Sequence, residues 1–170
     1  MDVKQITSYG EKNPDCPSEL EAFSFLVGKW QGTGRVRLEG GKFADFAVSW
    51  IGRYILDGTA IADELHSLAP DGSPYLGISL RQYDAKKKNW IIEYLNVSNS
   101  FLRRQVNGDS GSVSVDGPNV IVVSGTPDSM SREHYRVVDH DNFVYSLDAS
   151  SDGGSNWNEG QIEMTFRRSE

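Results

Sequence analysis

The sequence predicts an all-β domain: an up-and-down antiparallel β-barrel of about ten strands with a short N-terminal capping helix. Three observations carry this. Short alternating apolar segments recur along the chain, separated by dense Gly, Asp, Asn and Pro turn chemistry. Their connections are short enough for sequential hairpins, which favour a meander, and closing a meander removes its exposed edges. The first strand carries Trp30, Gly32, Gly34, Val36 and Leu38 on one face and Lys29, Gln31, Thr33, Arg35 and Arg37 on the other. An aromatic and two glycines on one face suit a wall that curls tightly over a plug.

In chain order, residues 1–17 are polar and punctuated by Gly10, Pro14 and Pro17, and read as an arm laid over a barrel domain of residues 18–170. Ser18-Glu19-Leu20-Glu21 has the spacing of a capping box. The helix it opens is short, because Gly28 offers a left-handed stop. Leu20, Phe23, Leu26 and Val27 would close one end of the barrel. Strands follow at 29–38, 43–56, 59–69, 75–83, 89–97, 101–106, 112–115, 120–124, 131–138, 142–149 and 160–168. Turns at Glu39-Gly40-Gly41-Lys42, Asp57-Gly58, 70–74, 84–88, 107–111, 116–119, 126–128, Asp139-His140-Asp141 and 151–155 separate them.

One domain is the natural reading of 170 residues, enough to bury a core or line a cavity without disulfides. Seventeen basic against 24 acidic residues give a formal charge of -7, which disfavours nucleic acid and anionic membranes as partners. A single cysteine, Cys16, and an opening without a charged-then-apolar leader point to a cytoplasmic protein. No apolar run approaches the roughly 18 residues that span a membrane. Neither a metal site nor a cofactor is expected: no paired His or Cys spacing occurs. Gly32 and Gly34 lie in a strand rather than a phosphate loop, and Ser110-Gly111-Ser112 lacks the nucleophile-elbow pattern.

The segments Phe25-Leu26-Val27-Gly28-Lys29-Trp30, Ala62-Asp63-Glu64, Tyr75-Leu76-Gly77, Leu80-Arg81-Gln82-Tyr83-Asp84, Trp90 and Asp152-Gly153-Gly154-Ser155-Asn156-Trp157 span nearly the whole domain. In order and spacing they resemble the lipocalin-like (calycin) superfamily, and within it a bacterial branch classed as a domain of unknown function. The resemblance implies a barrel with an internal cavity. It implies no activity, since that superfamily holds carriers, haem proteins and a few enzymes. The opening motif is more distantly similar to nitrobindin, a haem barrel, which makes haem a minor alternative. His134 and His140 would be the late candidates for its axial ligand.

Within such a barrel, polar groups sharing a face with aromatics are the site candidates. The third strand puts Glu64 and His66 on one face, where they could share a proton. They would be the catalytic pair if the protein is a cofactor-free acid/base enzyme, such as an isomerase, cyclase, dehydratase or lyase. The opposite face, Ile61, Asp63, Leu65 and Ser67, could equally be the inner one. If Tyr83 sits opposite Trp90, one face of the next hairpin holds Ser79, Arg81, Tyr83, Trp90, Ile92, Tyr94 and Asn96. Arg81 among these rings could hold a ligand's carboxylate or phenolate. Both faces of this hairpin are half apolar, which fits either a homodimer contact on the outer face or a loop covering it. His134 is expected to share a face with Arg132, Arg136, Phe143 and Tyr145. Trp30 and Tyr145 complete the ligand-binding candidates. The function expected first is binding of a small, largely apolar molecule, aromatic ones included, in the cavity.

Overall fold

The computed structural model describes residues 7–69, 71–98, 101–105 and 112–170. It is an all-β structure built as a single antiparallel sheet of eleven strands: β1 (Gly28–Arg37), β2 (Phe43–Ile55), β3 (Ala60–Leu68), β4 (Pro74–Asp84), β5 (Asn89–Ser98), β6 (Phe101–Gln105), β7 (Ser112–Asp116), β8 (Asn119–Thr126), β9 (Ser129–Asp139), β10 (Asn142–Ser150) and β11 (Asn158–Ser169). The spatial order is β6-β5-β4-β3-β2-β1-β11-β10-β9-β8-β7. Consecutive strands thus pair throughout, except β6 and β7, which are the two edges of the sheet, and β1 also pairs with β11, joining the two halves of the meander. The sheet curls until β5 meets β7, giving a nearly closed barrel. The expected segment at Val106 and the turn after it lie outside the described residues.

One end is sealed by a 3-10 helix, Ser18–Leu26. Its buried residues Leu20, Phe23 and Leu26 are three apart and fully inaccessible. A spacing of three lines up on one edge of a helix with three residues per turn, so the apolar pattern suits this form. Each of these side chains contributes about 1.5–3 kcal/mol by leaving water. The expected capping box does not form: the Ser18 hydroxyl caps no backbone amide. Glu21 instead forms an ion pair with Lys12 of the arm. The arm is also pinned elsewhere. Thr7 donates through its backbone N and its Oγ1 to Asp57 Oδ1 at 2.9 and 2.8 Å, and buried Asn13 donates to the Asp57 carbonyl at 3.1 Å.

The alternation expected for β1 is present, with Trp30 buried and Lys29 and Gln31 exposed. Trp30 stands opposite Trp50 on β2 and Arg168 on β11. Its Nε1 donates to the Leu26 carbonyl at 3.1 Å, and its ring meets Phe143 edge-on at 4.8 Å. The Arg168 guanidinium lies 4.1 Å above the Trp30 ring and donates to the Val27 carbonyl at 3.0 Å. Gly28 makes this closure possible. Its φ is +126°, and a Cβ there would collide with the Arg168 guanidinium. Phe143, Phe166 and Trp50 continue the aromatic packing inward from the sealed end. No helix among the described residues is long and apolar enough to cross a membrane.

Candidate functional site

Beyond that aromatic layer the barrel opens into a cavity of about 350 Å³. Its walls come from β1 to β5 on one side and β9 to β11 on the other. Val36, Phe46, Leu65, Leu147, Ile162 and Met164 make it apolar. Trp50, Tyr75, Tyr94, Tyr135 and Tyr145 supply rings, and Asp63, Ser67, Ser79, Ser131 and Glu133 supply polar groups. Leu68, Ala69 and Tyr75 belong to the end opposite the 3-10 helix, which places the mouth there.

The period of two decides which side chains reach the cavity. On β3 the inward set is Ile61, Asp63, Leu65 and Ser67. Glu64 and His66 lie on the outer wall, with side chains 40 and 47% exposed. They touch each other at 3.3 Å, and Arg53 approaches Glu64 at 3.8 Å. The two side chains therefore do meet, but outside the barrel. An acid/base site built on them has no access to a ligand in the cavity.

On the β4–β5 hairpin Tyr83 pairs with Trp90, and the expected face is the inner one. Ser79, Arg81 and Trp90 are buried and Tyr94 is half-buried. Their positions along the barrel differ. Trp90 packs edge-on against Phe23 at 5.0 Å and Tyr83 at 5.4 Å, so both sit by the sealed end. They border a shallow outer groove with Glu19 and Val113. Asn96 is half-buried opposite Gly77 and is not among the cavity residues. Tyr94 lines the cavity and meets the Tyr75 hydroxyl at 3.0 Å. Gly77 lets this happen, since a Cβ there would collide with the Tyr94 ring.

Arg81 lies beneath the cavity rather than in its wall, and its charge is already matched. It forms an ion pair with Asp63, both side chains only 2% exposed, and its Nη2 donates to Tyr135 Oη at 3.1 Å. Its guanidinium also stacks 5.1 Å from the Phe23 ring. Tyr135 in turn donates to Glu133 Oε2 at 2.5 Å. A chain of hydrogen bonds thus runs Asp63, Arg81, Tyr135, Glu133 across the floor of the cavity. The expectation that Arg81 would grip a ligand's anion is corrected by this arrangement. Arg81 Nε and Trp50 Nε1 are buried with no hydrogen-bond partner.

The β9–β10 hairpin also differs from expectation. A bulge between Asn142 and Phe143 shifts the register, so Tyr145 pairs with Tyr135 and His134 pairs with Ser146. A one-residue shift turns a side chain to the other face. His134 accordingly sits on the outer wall, 2.9 Å from Asp148, which Arg132 also holds at 2.7 Å. Burial works to raise the Asp148 carboxyl, but the Gly160 amide with Arg132 and His134 outweighs it and holds the group below its ordinary 3.8. His140 is exposed in its turn. None of the three histidines lines the cavity, so the haem reading loses both candidate ligands. Trp30 serves the seal and does not line the cavity.

Glu133, Tyr135, Asp63, Tyr75 and Trp50 are cavity residues that sequence reasoning did not single out. The signal for β9 was present: Glu133, Tyr135 and Val137 alternate against Arg132, His134 and Arg136, and the strand with two arginines on one face turns that face to water.

The phenols are held neutral. Burial pushes the Tyr94 hydroxyl far above its ordinary 10.0, helped by Tyr75 and Glu133. Burial raises Tyr145 similarly, with Glu133 and Tyr135 adding to it. Tyr135 is raised by burial and by Glu133, with Arg81 pulling the other way. The cavity therefore offers an apolar enclosure, neutral hydroxyls and a carboxylate at one place.

Comparison with known proteins bears on the fold. The chain is similar to the crystal structure of Rv2717c from M. tuberculosis, with a TM-score of 0.59 and 17% identity, covering 92% of this chain and 100% of that one. It is also similar to the S-type phycobiliprotein lyase CPES from Guillardia theta, with a TM-score of 0.62 and 9% identity, covering 91 and 94%. No family model and no curated protein sequence matches it. At such identities the likeness is one of fold alone, the near-closed antiparallel barrel.

Proposed function

We propose that this protein binds one small, largely apolar molecule inside the barrel, with the molecule's hydrogen-bonding end near Glu133, Tyr135, Tyr75 and Tyr94. The observation that carries the reading is the cavity itself: about 350 Å³, apolar and aromatic in its walls, with polar groups on the β3–β5 and β9 sides. Enclosure with a few placed polar groups is the usual form of a small-molecule site, and this volume sits at the small end of the customary range of about 300–1,000 Å³. A phycobiliprotein lyase on the same fold supports a barrel that handles a small molecule, without indicating which one.

Two measurements test it. Native mass spectrometry of the purified protein, followed by denaturation, is expected to release a small molecule that travelled with it. The neutral fluorophore N-phenyl-1-naphthylamine is expected to enter the empty cavity and brighten. Ser67→Trp, which places an indole in the cavity near its mouth, is expected to abolish the uptake. The reading fails if the protein carries nothing and takes up no apolar probe, or if uptake is unchanged by Ser67→Trp.

A further inference from the structure

We infer that the molecule in the cavity is an organic cation: a protonated amine or quaternary ammonium on an apolar body. This rests on the reading that the cavity binds a ligand, and it names the ligand's chemistry from the balance of charge around that cavity.

Two carboxylates line the cavity, Asp63 and Glu133, and no lysine, arginine or histidine does so among the described residues. Arg81, beneath the floor, cancels one of them through its buried ion pair with Asp63. Its second terminal nitrogen is taken by Tyr135. Glu133 remains. Its one hydrogen bond among the described residues is accepted from the neutral Tyr135 hydroxyl at 2.5 Å, and it forms no ion pair among those residues. The unpartnered N–H groups of Trp50 and Arg81 do not offset this charge, because both nitrogens are shut off from the cavity surface. Among the described residues the cavity lining is therefore net negative, in surroundings of low polarity where an unmatched charge weighs far more than in water.

The rings point the same way. Tyr135 and Tyr145 meet at 5.1 Å and 65°, and Trp50 stands 6.1 Å from Tyr145 at 59°. Steeply inclined rings form the sides of a box rather than a flat stack. Aromatic faces carry negative potential and attract a cation set among them. A carboxylate with tilted aromatic walls suits an ammonium group, whereas an anionic ligand would meet Glu133 with no cation among the described residues to receive it.

The test compares three probes that share one ring system: 2-naphthylmethylamine, 2-naphthylmethanol and 2-naphthoic acid, titrated calorimetrically into the whole protein at neutral pH. The amine, protonated, is expected to bind about ten- to hundredfold more tightly than the alcohol, the range of one hydrogen bond to a charged group. The acid is expected to bind most weakly. Glu133→Gln is expected to remove the preference of the cavity for the amine over the alcohol. The inference is overturned if the alcohol or the acid equals the amine in the wild-type protein, a ranking that needs no variant. It is also overturned if the preference survives in a folded Glu133→Gln protein. If none of the three binds, the cavity reading itself falls and takes this inference with it.

Discussion

Removing Asp63 while leaving Arg81 in place is the sharpest perturbation of the cavity floor. Asp63 and Arg81 are each 2% exposed, so Asp63→Leu strands a guanidinium where water cannot reach it. Breaking a buried pair from one side costs about 3–5 kcal/mol, against a total stability of about 5–15 kcal/mol for a domain. Arg81→Met strands the carboxylate instead, with a similar cost. It also removes the stacking of Arg81 on Phe23 at 5.1 Å, worth about 0.5–2 kcal/mol. Were the two residues independent, the double variant would lose about 6–10 kcal/mol by simple addition. With both charges gone, no ion is left without its partner. The double variant is then expected to lose only the stacking contribution, about 0.5–2 kcal/mol. Urea unfolding followed by tryptophan fluorescence reads all four proteins, and the coupling energy follows from the cycle. A double variant as unstable as the sum of its singles would refute the pairing and the charge balance built on it.

Other perturbations address the seal, the phenols and the last loop. Gly28→Ala forces a side chain onto a φ of +126° and into Arg168, and is expected to cost about 1–3 kcal/mol in the same urea assay. Tyr94, Tyr135 and Tyr145 have folded-state values raised above 10.0, so their contribution to stability is complete below that pH and is lost as pH climbs beyond it. Tyrosinate absorbance from these three is expected to rise only together with unfolding. Asp152 is held at about 2 by the side chain and amide of Asn156 and by the Ser150 hydroxyl. Carboxyl NMR should show that value, and Asn156→Ala should move it toward 3.8. Since the folded value is depressed, the contribution of this contact is present above 3.8 and lost as pH falls through 2.

Most of the fold was legible because strand signals are local. The alternation of β1, the Asp57-Gly58 turn and the Tyr83–Trp90 register each follow from a few neighbouring residues, and the strands lie where those residues put them. The Ser18–Glu21 box shows where local reading stops. Its residues have the right spacing for an α-helical start, but Lys12 competes for Glu21, and burial of Leu20, Phe23 and Leu26 at intervals of three favours the tighter helix. A tertiary partner and a packing period overrode the local signal.

The site was less legible because its character depends on faces, and a face depends on register. Both sides of β3 are mixed in polarity, and nothing within the strand says that Asp63 rather than Glu64 turns inward. The deciding partner is on β4: Asp63 pairs with Ser79, one step along the same face from Arg81, so an inward Arg81 draws Asp63 in with it. On β9 the deciding feature is the Asn142–Phe143 bulge, which sets Tyr135 against Tyr145 and leaves His134 with Asp148 outside. Each is a shift of a single residue, and each reverses the chemistry of the interior. With Glu64 and His66 inward the barrel would hold a proton-transfer pair. With Asp63 and Glu133 inward, and Arg81 bound to the first, it holds one carboxylate unmatched by any cation among the described residues, between aromatic walls. The sign of that charge, more than the size of the cavity, is what separates one class of ligand from another here.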